Sequence, residues 1–491
     1  MNVAELVVFI VYLLFMIAVG LYFFIKSKGG GEKEYFLGGR KVNGFVAALS
    51  AGASDMSSWV LMGLPASVFL LGMGEVWIGI GLALGTILSW VLVAPRLRTF
   101  SIVANDSITR PQYLTNRFLS KNKALQVICA FIFLVVYTIY SAASIKACGV
   151  LFNTVTGIDT AVAMYIAAAI IIGYTFLGGF SAVCWTDFFQ GLLMLIALMV
   201  TPIVALFATD ASAFGDVSYG AGYWSLLSSG AFDWKSISGI LSGLGWGLGY
   251  FGMPHIIIRF MAIKSPSEVK KSKVIGSIWT SLILLFSIAV GLIGRVYFTG
   301  ANEIADSSLV FIEMVRSLFP GVVSGILLSA ILAAAMSTAD SQLLASASAF
   351  ASDVYKPLIR KKASDKEMLW VGRIVVILIS VVAVVIAANP NSGSIMDLVS
   401  NAWGLFGSAF GPIVLLSLFW KRFTFKGAVA GIIAGGVTDA LWLIFLSGTG
   451  LYEIVPGFIA GMLASVVVSL LCGKPADGVE KQFDDAVAYK D

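Results

Sequence analysis

Long apolar segments recur along the whole chain and constrain its fold more than any other feature. A helix needs about 18 or more apolar residues to cross the roughly 30 Å hydrocarbon layer of a bilayer. We find thirteen such runs, at approximately residues 3–25, 43–70, 74–95, 124–153, 158–178, 187–208, 237–261, 274–298, 321–350, 370–388, 395–420, 425–447 and 453–473. The sequence therefore predicts an all-α polytopic membrane protein with about 13 transmembrane helices.

Composition supports this class and excludes others. Hydrophobic residues make up 59% of the 491 residues and charged residues 12%, about half the charged fraction of a soluble protein. A soluble multidomain enzyme, a disordered chain and a nucleic-acid-binding protein are thereby excluded. The four cysteines lie in apolar stretches without metal-ligand spacing, so neither a zinc site nor a disulfide framework is predicted.

Basic residues are distributed unevenly between the two sides of the predicted spans. The odd-numbered loops and the tail at 474–491 contain 28 of the 32 Lys and Arg residues. Loops rich in Lys and Arg stay on the cytoplasmic side. With thirteen spans, this pattern predicts an extracytoplasmic N-terminus and a cytoplasmic C-terminus, and it accounts for the net charge of +5 without a nucleic-acid partner.

Two predicted spans carry residues that a regular lipid-exposed helix does not favour. The second span has a carboxylate, Asp55, and four hydroxyls within residues 50–58, beside Gly52. The seventh has five glycines within residues 243–252, followed by Pro254. Glycine costs about 1 kcal/mol and proline about 3 kcal/mol in a helix interior relative to alanine. We expect both spans to unwind near their middle, whereas the alternative is that the glycines only allow close helix packing.

The positions of these two spans indicate an internal repeat. The second span opens a set of five helices over residues 43–208, and the seventh opens another over residues 237–420. Interrupted helices in corresponding positions of two halves indicate the binding site of a secondary transporter. An odd number of spans per half makes the repeats inverted. The sequence thus predicts a five-plus-five core with broken helices, preceded by an extra helix at 3–25 and followed by two at 425–473.

The ninth span is a third anomaly because it is rich in small and polar residues. Ser337 and Thr338 are adjacent hydroxyls, and Ala334 lies on the same helical face as Thr338. Carbonyls freed at Ala53 and Met56 by unwinding would combine with these hydroxyls into an oxygen shell for Na⁺. The alternative is that both hydroxyls bond to carbonyls of the preceding turn.

Three long motifs resemble the sodium/solute symporter family. They are residues 48–65 (ALSAGASDMSSWVLMGLP), 245–262 (GWGLGYFGMPHIIIRFMA) and 328–344 (LSAILAAAMSTADSQLL). Residues 35–40, 185–187 and 451–458 extend the resemblance over nearly the whole chain. It implies the five-plus-five inverted-repeat fold and a sodium site formed by Ala53, Met56, Ala334, Ser337 and Thr338.

The resemblance also implies further functional positions. Asp55 matches an acidic residue that the family needs for sodium-coupled transport, and Arg40 and Asp187 match positions expected to act in gating. The implied substrate-binding residues are Ser57, Tyr140, Trp246, Tyr250, Pro254 and Phe406. Asp340 departs from the family pattern, and Asp439 is an unexpected acid within a predicted span, so either could provide an additional ion or proton site.

The function implied by the resemblance is secondary active transport in the bacterial plasma membrane. The family members that this sequence most resembles take up proline, so L-proline is the implied substrate. The resemblance also implies Na⁺ as the coupling ion and the lipid bilayer as the surrounding medium, and it indicates no protein partner. The residues themselves leave open another small solute, such as a different amino acid, a vitamin acid or a sugar. His255, the only histidine, lies beside Pro254 without a nucleophile motif, so we expect no catalytic role.

Overall fold

The computed structural model describes residues 3–26, 32–177, 179–215, 219, 222–299 and 303–489. Gly178, the last residue of the predicted fifth span, lies outside these ranges. The α-helices of the described residues are α1 (Val3–Lys26), α2 (Glu32–Leu37), α3 (Gly44–Asp55), α4 (Gly63–Leu71), α5 (Val76–Leu88), α6 (Ala94–Val103), α7 (Arg110–Arg117), α8 (Ala124–Thr156), α9 (Thr160–Leu177), α10 (Phe180–Ala208), α11 (Trp234–Gly245), α12 (Pro254–Ala262), α13 (Pro266–Tyr297), α14 (Val310–Leu318), α15 (Gly321–Ala349), α16 (Asp365–Ala388), α17 (Ile395–Phe419), α18 (Phe425–Phe445), α19 (Ile454–Leu471) and α20 (Val479–Ala488).

Ten helical stretches in the described residues are long and apolar enough to cross a membrane. The remaining predicted spans correspond to shorter or interrupted helices: α9 has a shorter apolar stretch, α3 and α4 share the second span, and α11 and α12 share the seventh. The all-helical membrane architecture is confirmed, while the count of about thirteen spans stays a prediction.

Several helices extend beyond the apolar runs that identified them. Helix α13 begins at Pro266 rather than at the predicted residue 274. Its N-terminus is capped by the Ser265 side chain, which accepts a hydrogen bond from the Glu268 amide. Helix α15 continues as a π-helix over Phe350–Ile359. Hydropathy identifies only the segment inside the hydrocarbon, whereas capping and hydrogen bonding carry a helix into the polar layer.

The first half of the second span and the ninth span lie deep in the protein. Helix α3 is buried from Val46 to Asp55 and packs against α10, α12, α13 and α15. Helix α15 is buried almost without interruption over Leu327–Ala349. The segments predicted to bind the ion are therefore central helices, surrounded by protein rather than lipid.

The seventh span packs so closely against α5 that the two backbones are in contact. A Cβ atom placed on Gly81 would lie 2.2 Å from the Gly243 carbonyl oxygen, and one on Gly85 would lie 2.3 Å from that of Gly247. No side chain fits between these surfaces, since real Cβ atoms do not approach backbone oxygens so closely. The glycines predicted to unwind the span also permit this packing. Both interpretations of these glycines, unwinding and close helix packing, therefore apply.

This contact predicts the effect of Gly81→Ala. The added methyl must displace the backbone of the broken span, and overpacking of this kind costs about 1–3 kcal/mol. We expect a lower thermal unfolding midpoint in detergent. Gly20→Ala is the matched control because a Cβ there meets nothing within 4 Å, so its midpoint should be unchanged or slightly raised. Equal midpoints for both variants would contradict the prediction.

Candidate functional site

The second predicted span is interrupted at Met56 and Ser57. Helix α3 ends at Asp55, and Ser57 is extended (φ −69°, ψ −169°) before a short 3₁₀ turn at Ser58–Val60. The Met56 amide still bonds to the Gly52 carbonyl at 2.8 Å, so the helix closes normally before it breaks. The predicted interruption within residues 50–58 is confirmed.

The seventh predicted span is interrupted as well. Helix α11 ends at Gly245, a 3₁₀ segment covers Trp246–Phe251, and Met253 is extended (φ −73°, ψ 111°) before α12 begins at Pro254. Proline fits this first position because its missing amide hydrogen has no partner there in any helix. The prediction that this span unwinds near its middle is confirmed.

Three of the five predicted sodium ligands meet at one hydroxyl. Ser337 Oγ lies 2.8 Å from the Ala53 carbonyl oxygen and 3.1 Å from that of Ala334. Thr338 Oγ1 is buried and has no hydrogen-bond partner among the described residues. The Ser337 contact with Ala334 is the back-bonding alternative raised by the sequence, but the contact with Ala53 joins two helices. Met56 is fully buried at the end of the same helix.

The chemistry of this donor set fits a monovalent cation. Its atoms are neutral carbonyl and hydroxyl oxygens, which hold an ion weakly enough to release it. Within the described ranges, no group of three or more His, Cys, Asp or Glu side chains is arranged to hold a metal. The buried, unpaired Thr338 hydroxyl is the polar atom that such an ion would satisfy.

Asp55 joins the two helix breaks. The Tyr250 hydroxyl donates a hydrogen bond to Asp55 Oδ2, and the Trp59 indole nitrogen lies 3.3 Å from the Asp55 carbonyl oxygen. Asp55 Oδ1 is buried without a hydrogen-bond partner in the described part of the chain. The carboxylate of the second span therefore contacts the seventh span directly.

Aromatic rings cover the same junction. The Trp246 ring stacks on Trp59, with centroids 6.0 Å apart, and lies 5.1 Å from the ring of Tyr452. Trp403 donates its indole hydrogen to the Trp246 carbonyl at 2.8 Å. Sequence reasoning missed Trp59, Trp403 and Tyr452, although Trp59 follows the broken segment directly and Tyr452 lies in a quoted motif.

The other predicted substrate residues divide into two groups. The Tyr140 hydroxyl is buried beside Ser57, close to Asp55. Phe406 packs instead on Tyr137, with centroids 4.7 Å apart. The Tyr137 hydroxyl accepts a hydrogen bond from the His255 amide at 2.9 Å and lies 3.1 Å from His255 Nδ1. Phe406 thus belongs to the layer of side chains next to Pro254 and His255.

Asp187 lies in a buried ion pair that the sequence did not reveal. Its Oδ2 atom accepts hydrogen bonds from Arg259 at 3.0 Å and Ser50 at 2.6 Å. Arg259 also donates to Ser341 at 2.6 Å. Arg259 is one of the 28 basic residues counted with the odd-numbered loops, but its side chain is buried within α12. The pair connects α3, α10, α12 and α15 next to the candidate ion ligands.

Arg40 ties the loop after α2 to α12. Its guanidinium donates to Asp106 at 2.9 Å, to the Ser107 carbonyl at 2.8 Å and to the Met261 carbonyl at 2.5 Å. Partial burial acts to raise the pKa of Asp106, but the hydrogen bonds and charges of Lys33 and Arg40 lower it overall. Asp106 is therefore a stable anion that holds Arg40 in place.

The comparisons with known proteins decide the family. The sodium:solute symporter family model matches residues 35–435, which is most of the chain. The chain belongs to the sodium:solute symporter family. Among its relatives, the Escherichia coli sodium/proline symporter is 44% identical over 99% of this chain and 96% of its own length. The Bacillus subtilis high-affinity proline transporter PutP is 43% identical over 96% of this chain and 98% of its own length.

Solved structures share the fold of this symporter. A Na⁺-coupled sialic acid symporter in a substrate-bound, outward-open state matches with a TM-score of 0.81 and 23% identity, covering 96% of this chain and 99% of that one. The nucleobase-cation-symport-1 transporter Mhp1 in a closed conformation matches with a TM-score of 0.56 and 15% identity, covering 92% and 97%. The predicted transporter fold with broken helices is confirmed, while the residue bounds of its repeats stay a prediction.

Asp340 and Asp439, the two acids that the sequence marks as unexpected, are also buried. Asp340 follows Thr338 on α15 and accepts a hydrogen bond from Ser341 at 3.3 Å. Asp439 lies on α18 and accepts one from Ser408 at 2.8 Å. Asp340 is thus close to the candidate ion ligands, whereas Asp439 packs against α17 outside them.

The Asp187–Arg259 pair predicts a non-additive effect on stability. Arg259→Gln alone leaves Asp187 buried without its counter-charge, which costs about 3–5 kcal/mol. We expect the double variant with Asp187→Asn to lose less stability than the two single variants together, measured as unfolding midpoints in detergent. Lys271→Gln is the control because its pair with Glu268 is exposed and such pairs contribute about 0–1 kcal/mol. Strictly additive losses would refute the coupling.

Proposed function

We propose that this chain couples the inward movement of Na⁺ to the uptake of L-proline by alternating access. The observation that carries the proposal is the junction of the two broken spans, where Asp55 meets Tyr250 while Ala53, two residues earlier, contacts Ser337. Relatives more than 40% identical over nearly the whole chain are named as proline transporters, which supports proline as the substrate.

Na⁺ would bind as a co-substrate at the end of α3. Its ligands would be the carbonyl oxygens of Ala53, Met56 and Ala334 and the hydroxyls of Ser337 and Thr338. The 2.8 Å contact between the Ser337 hydroxyl and the Ala53 carbonyl supports this assignment. It places one oxygen from α15 and one from α3 close enough together to coordinate the same ion. The unpaired Thr338 hydroxyl supports it independently.

Proline presents a carboxylate, a secondary ammonium and an apolar ring. Amide groups at a helix break and the positive end of the following half-helix attract the carboxylate. The oxygens of Ser57 and Tyr250 can accept hydrogen bonds from the ammonium. Trp246 and Tyr140 would cover the ring, and Pro254 and Phe406 would complete the pocket. A cation–π contact would add about 0.5–2 kcal/mol.

Coupling would follow from the shared broken span. Na⁺ held by Ala53 and Met56 fixes the backbone on which the next residue, Ser57, faces the substrate. Occupation of one site therefore raises affinity at the other, with a coupling free energy typically of about 1–3 kcal/mol in both directions. Inward movement of one charge across about 100 mV contributes roughly 2.3 kcal/mol to the accumulation of proline.

Asp55, Arg40 and Asp187 would act in coupling and gating rather than bind proline. Asp55 connects the two breaks, Asp187 pairs with Arg259, and Arg40 connects Asp106 to α12. The basic loops support a bacterial plasma membrane location with the N-terminus outside and the C-terminus in the cytoplasm. Arg40 and Asp187 would then lie toward the cytoplasmic side.

Counterflow tests the function and separates it from its alternatives. Proteoliposomes preloaded with unlabelled proline should accumulate labelled proline transiently when Na⁺ is present, because a carrier exchanges substrate across the membrane. A channel gives no such overshoot. Excess external alanine or glucose should leave the signal unchanged. No counterflow with proline, together with sodium-dependent counterflow of labelled alanine or glucose in liposomes preloaded with that solute, would instead support the alternative of another solute.

The ion site predicts a change in sodium dependence. Thr338→Ala removes a ligand hydroxyl, so the Na⁺ concentration for half-maximal proline uptake should rise about tenfold or more. Ser329→Ala is the matched control on α15, because Ser329 bonds to the Gly325 carbonyl of its own helix, and its sodium dependence should shift less than about twofold. Immunoblots of the membrane fraction verify abundance. Unchanged sodium dependence in Thr338→Ala would remove Thr338 from the site.

A further inference from the structure

Arg110 is a buried guanidinium at the helix break that the function above does not use. It opens α7, where Thr109 caps the helix and Pro111 occupies the first turn. Its side chain is only 2% exposed. Its Nη1 atom donates a hydrogen bond to the carbonyl of Gly252, between the 3₁₀ segment of the seventh span and Pro254.

One edge of this guanidinium has no partner. Nε and Nη2 are buried and make no hydrogen bond to any described residue. Around the side chain are neutral groups: the Phe410 ring, whose centroid lies 4.6 Å from the guanidinium carbon, and Tyr113, Cys129 and Tyr137. Burial lowers the pKa of Arg110 to about 10, so it stays positively charged at neutral pH.

The buried carboxylate of this region is engaged elsewhere. Asp353 accepts hydrogen bonds from Thr109 at 2.8 and 3.0 Å and from Gln126 at 3.1 Å. The other buried arginine of α7, Arg117, donates from Nε to the Ser417 carbonyl at 3.0 Å. Arg110 differs because the edge formed by Nε and Nη2, whose two parallel N–H groups match a carboxylate, is the edge left unpaired.

The position of this edge relates it to the substrate path. Phe410 packs on Phe406 and Tyr137 on His255, with ring centroids 6.0 and 5.5 Å apart, so the neighbours of Arg110 form the next layer beyond Pro254. The loop that carries α7 is one of the basic loops predicted to face the cytoplasm. The guanidinium therefore lies between the helix break and the predicted cytoplasmic side.

We propose that the Nε–Nη2 edge of Arg110 is a second carboxylate subsite, which the substrate's carboxylate occupies between the central site and the cytoplasm. This rests on the proposed function, since it requires a substrate with a carboxylate. Two parallel hydrogen bonds from a charged donor in a water-poor setting bind a carboxylate strongly and with a fixed orientation. The subsite would give the inward-facing state its own affinity for substrate, separate from that of the Trp246 rings.

The test compares the two faces of the membrane. Half-maximal proline concentrations are measured with equal Na⁺ on both sides, in right-side-out and inside-out vesicles. Arg110→Gln should raise the value on the cytoplasmic face at least fivefold and shift the external value less than twofold. Arg110→Lys keeps the charge but lacks the two parallel N–H groups, so it should raise the half-maximal proline concentration on the cytoplasmic face at least twofold. It serves as the second variant if Arg110→Gln fails to insert into the membrane.

Arg117→Gln is the matched control on the same helix. Because its donors bind carbonyls of α17 and α20 rather than of the broken span, any effect should be equal on the two faces. An unchanged cytoplasmic value in an Arg110 variant that still transports proline would overturn the subsite alone, as would an equal change on both faces. Absence of sodium-driven proline transport by the unsubstituted protein would overturn the proposed function and the subsite with it.

Discussion

The structure depends on the need to satisfy the backbone groups that a broken helix exposes inside a bilayer. Water is absent there, so each freed carbonyl or amide requires a partner from the protein. In this chain the partners come from neighbouring helices: Ser337 binds the Ala53 carbonyl, and Trp403 and Ser89 donate to the carbonyls of Trp246 and Tyr250. The breaks are therefore stable only because α15, α17 and the segment after α5 surround them.

Arginines satisfy the second half of the seventh span in the same way. Arg40, Arg98 and Arg110 donate to the Met261, Ile263 and Gly252 carbonyls respectively, and Arg259 donates to that of His255. At the C-terminal end of α12, the cations Arg40 and Arg98 also interact favourably with the helix dipole. Residues that the topology argument counted only as cytoplasmic charge thus hold α12 in place, so the charge that orients the chain also supports its site.

The same constraint explains how an ion and a substrate would affect each other. The end of α3 carries the carbonyl of Ala53 on one side and the Asp55 contact with Tyr250 on the other. Neither can move without the other because only Ser54 separates Ala53 from Asp55 in the chain. A ligand that fixes this short segment changes the geometry offered to the second ligand, which is the physical content of coupling.

The sequence by itself determined the membrane class, the two interrupted spans and most positions at their junction, because hydropathy and the cost of glycine, proline and buried carboxylates are local properties. The tertiary structure decided which of these residues meet. It paired Asp187 with Arg259, brought Trp59, Trp403 and Tyr452 onto Trp246, and packed Phe406 on Tyr137. Such contacts join residues far apart in the chain, and no local pattern encodes the direction in which a buried arginine points.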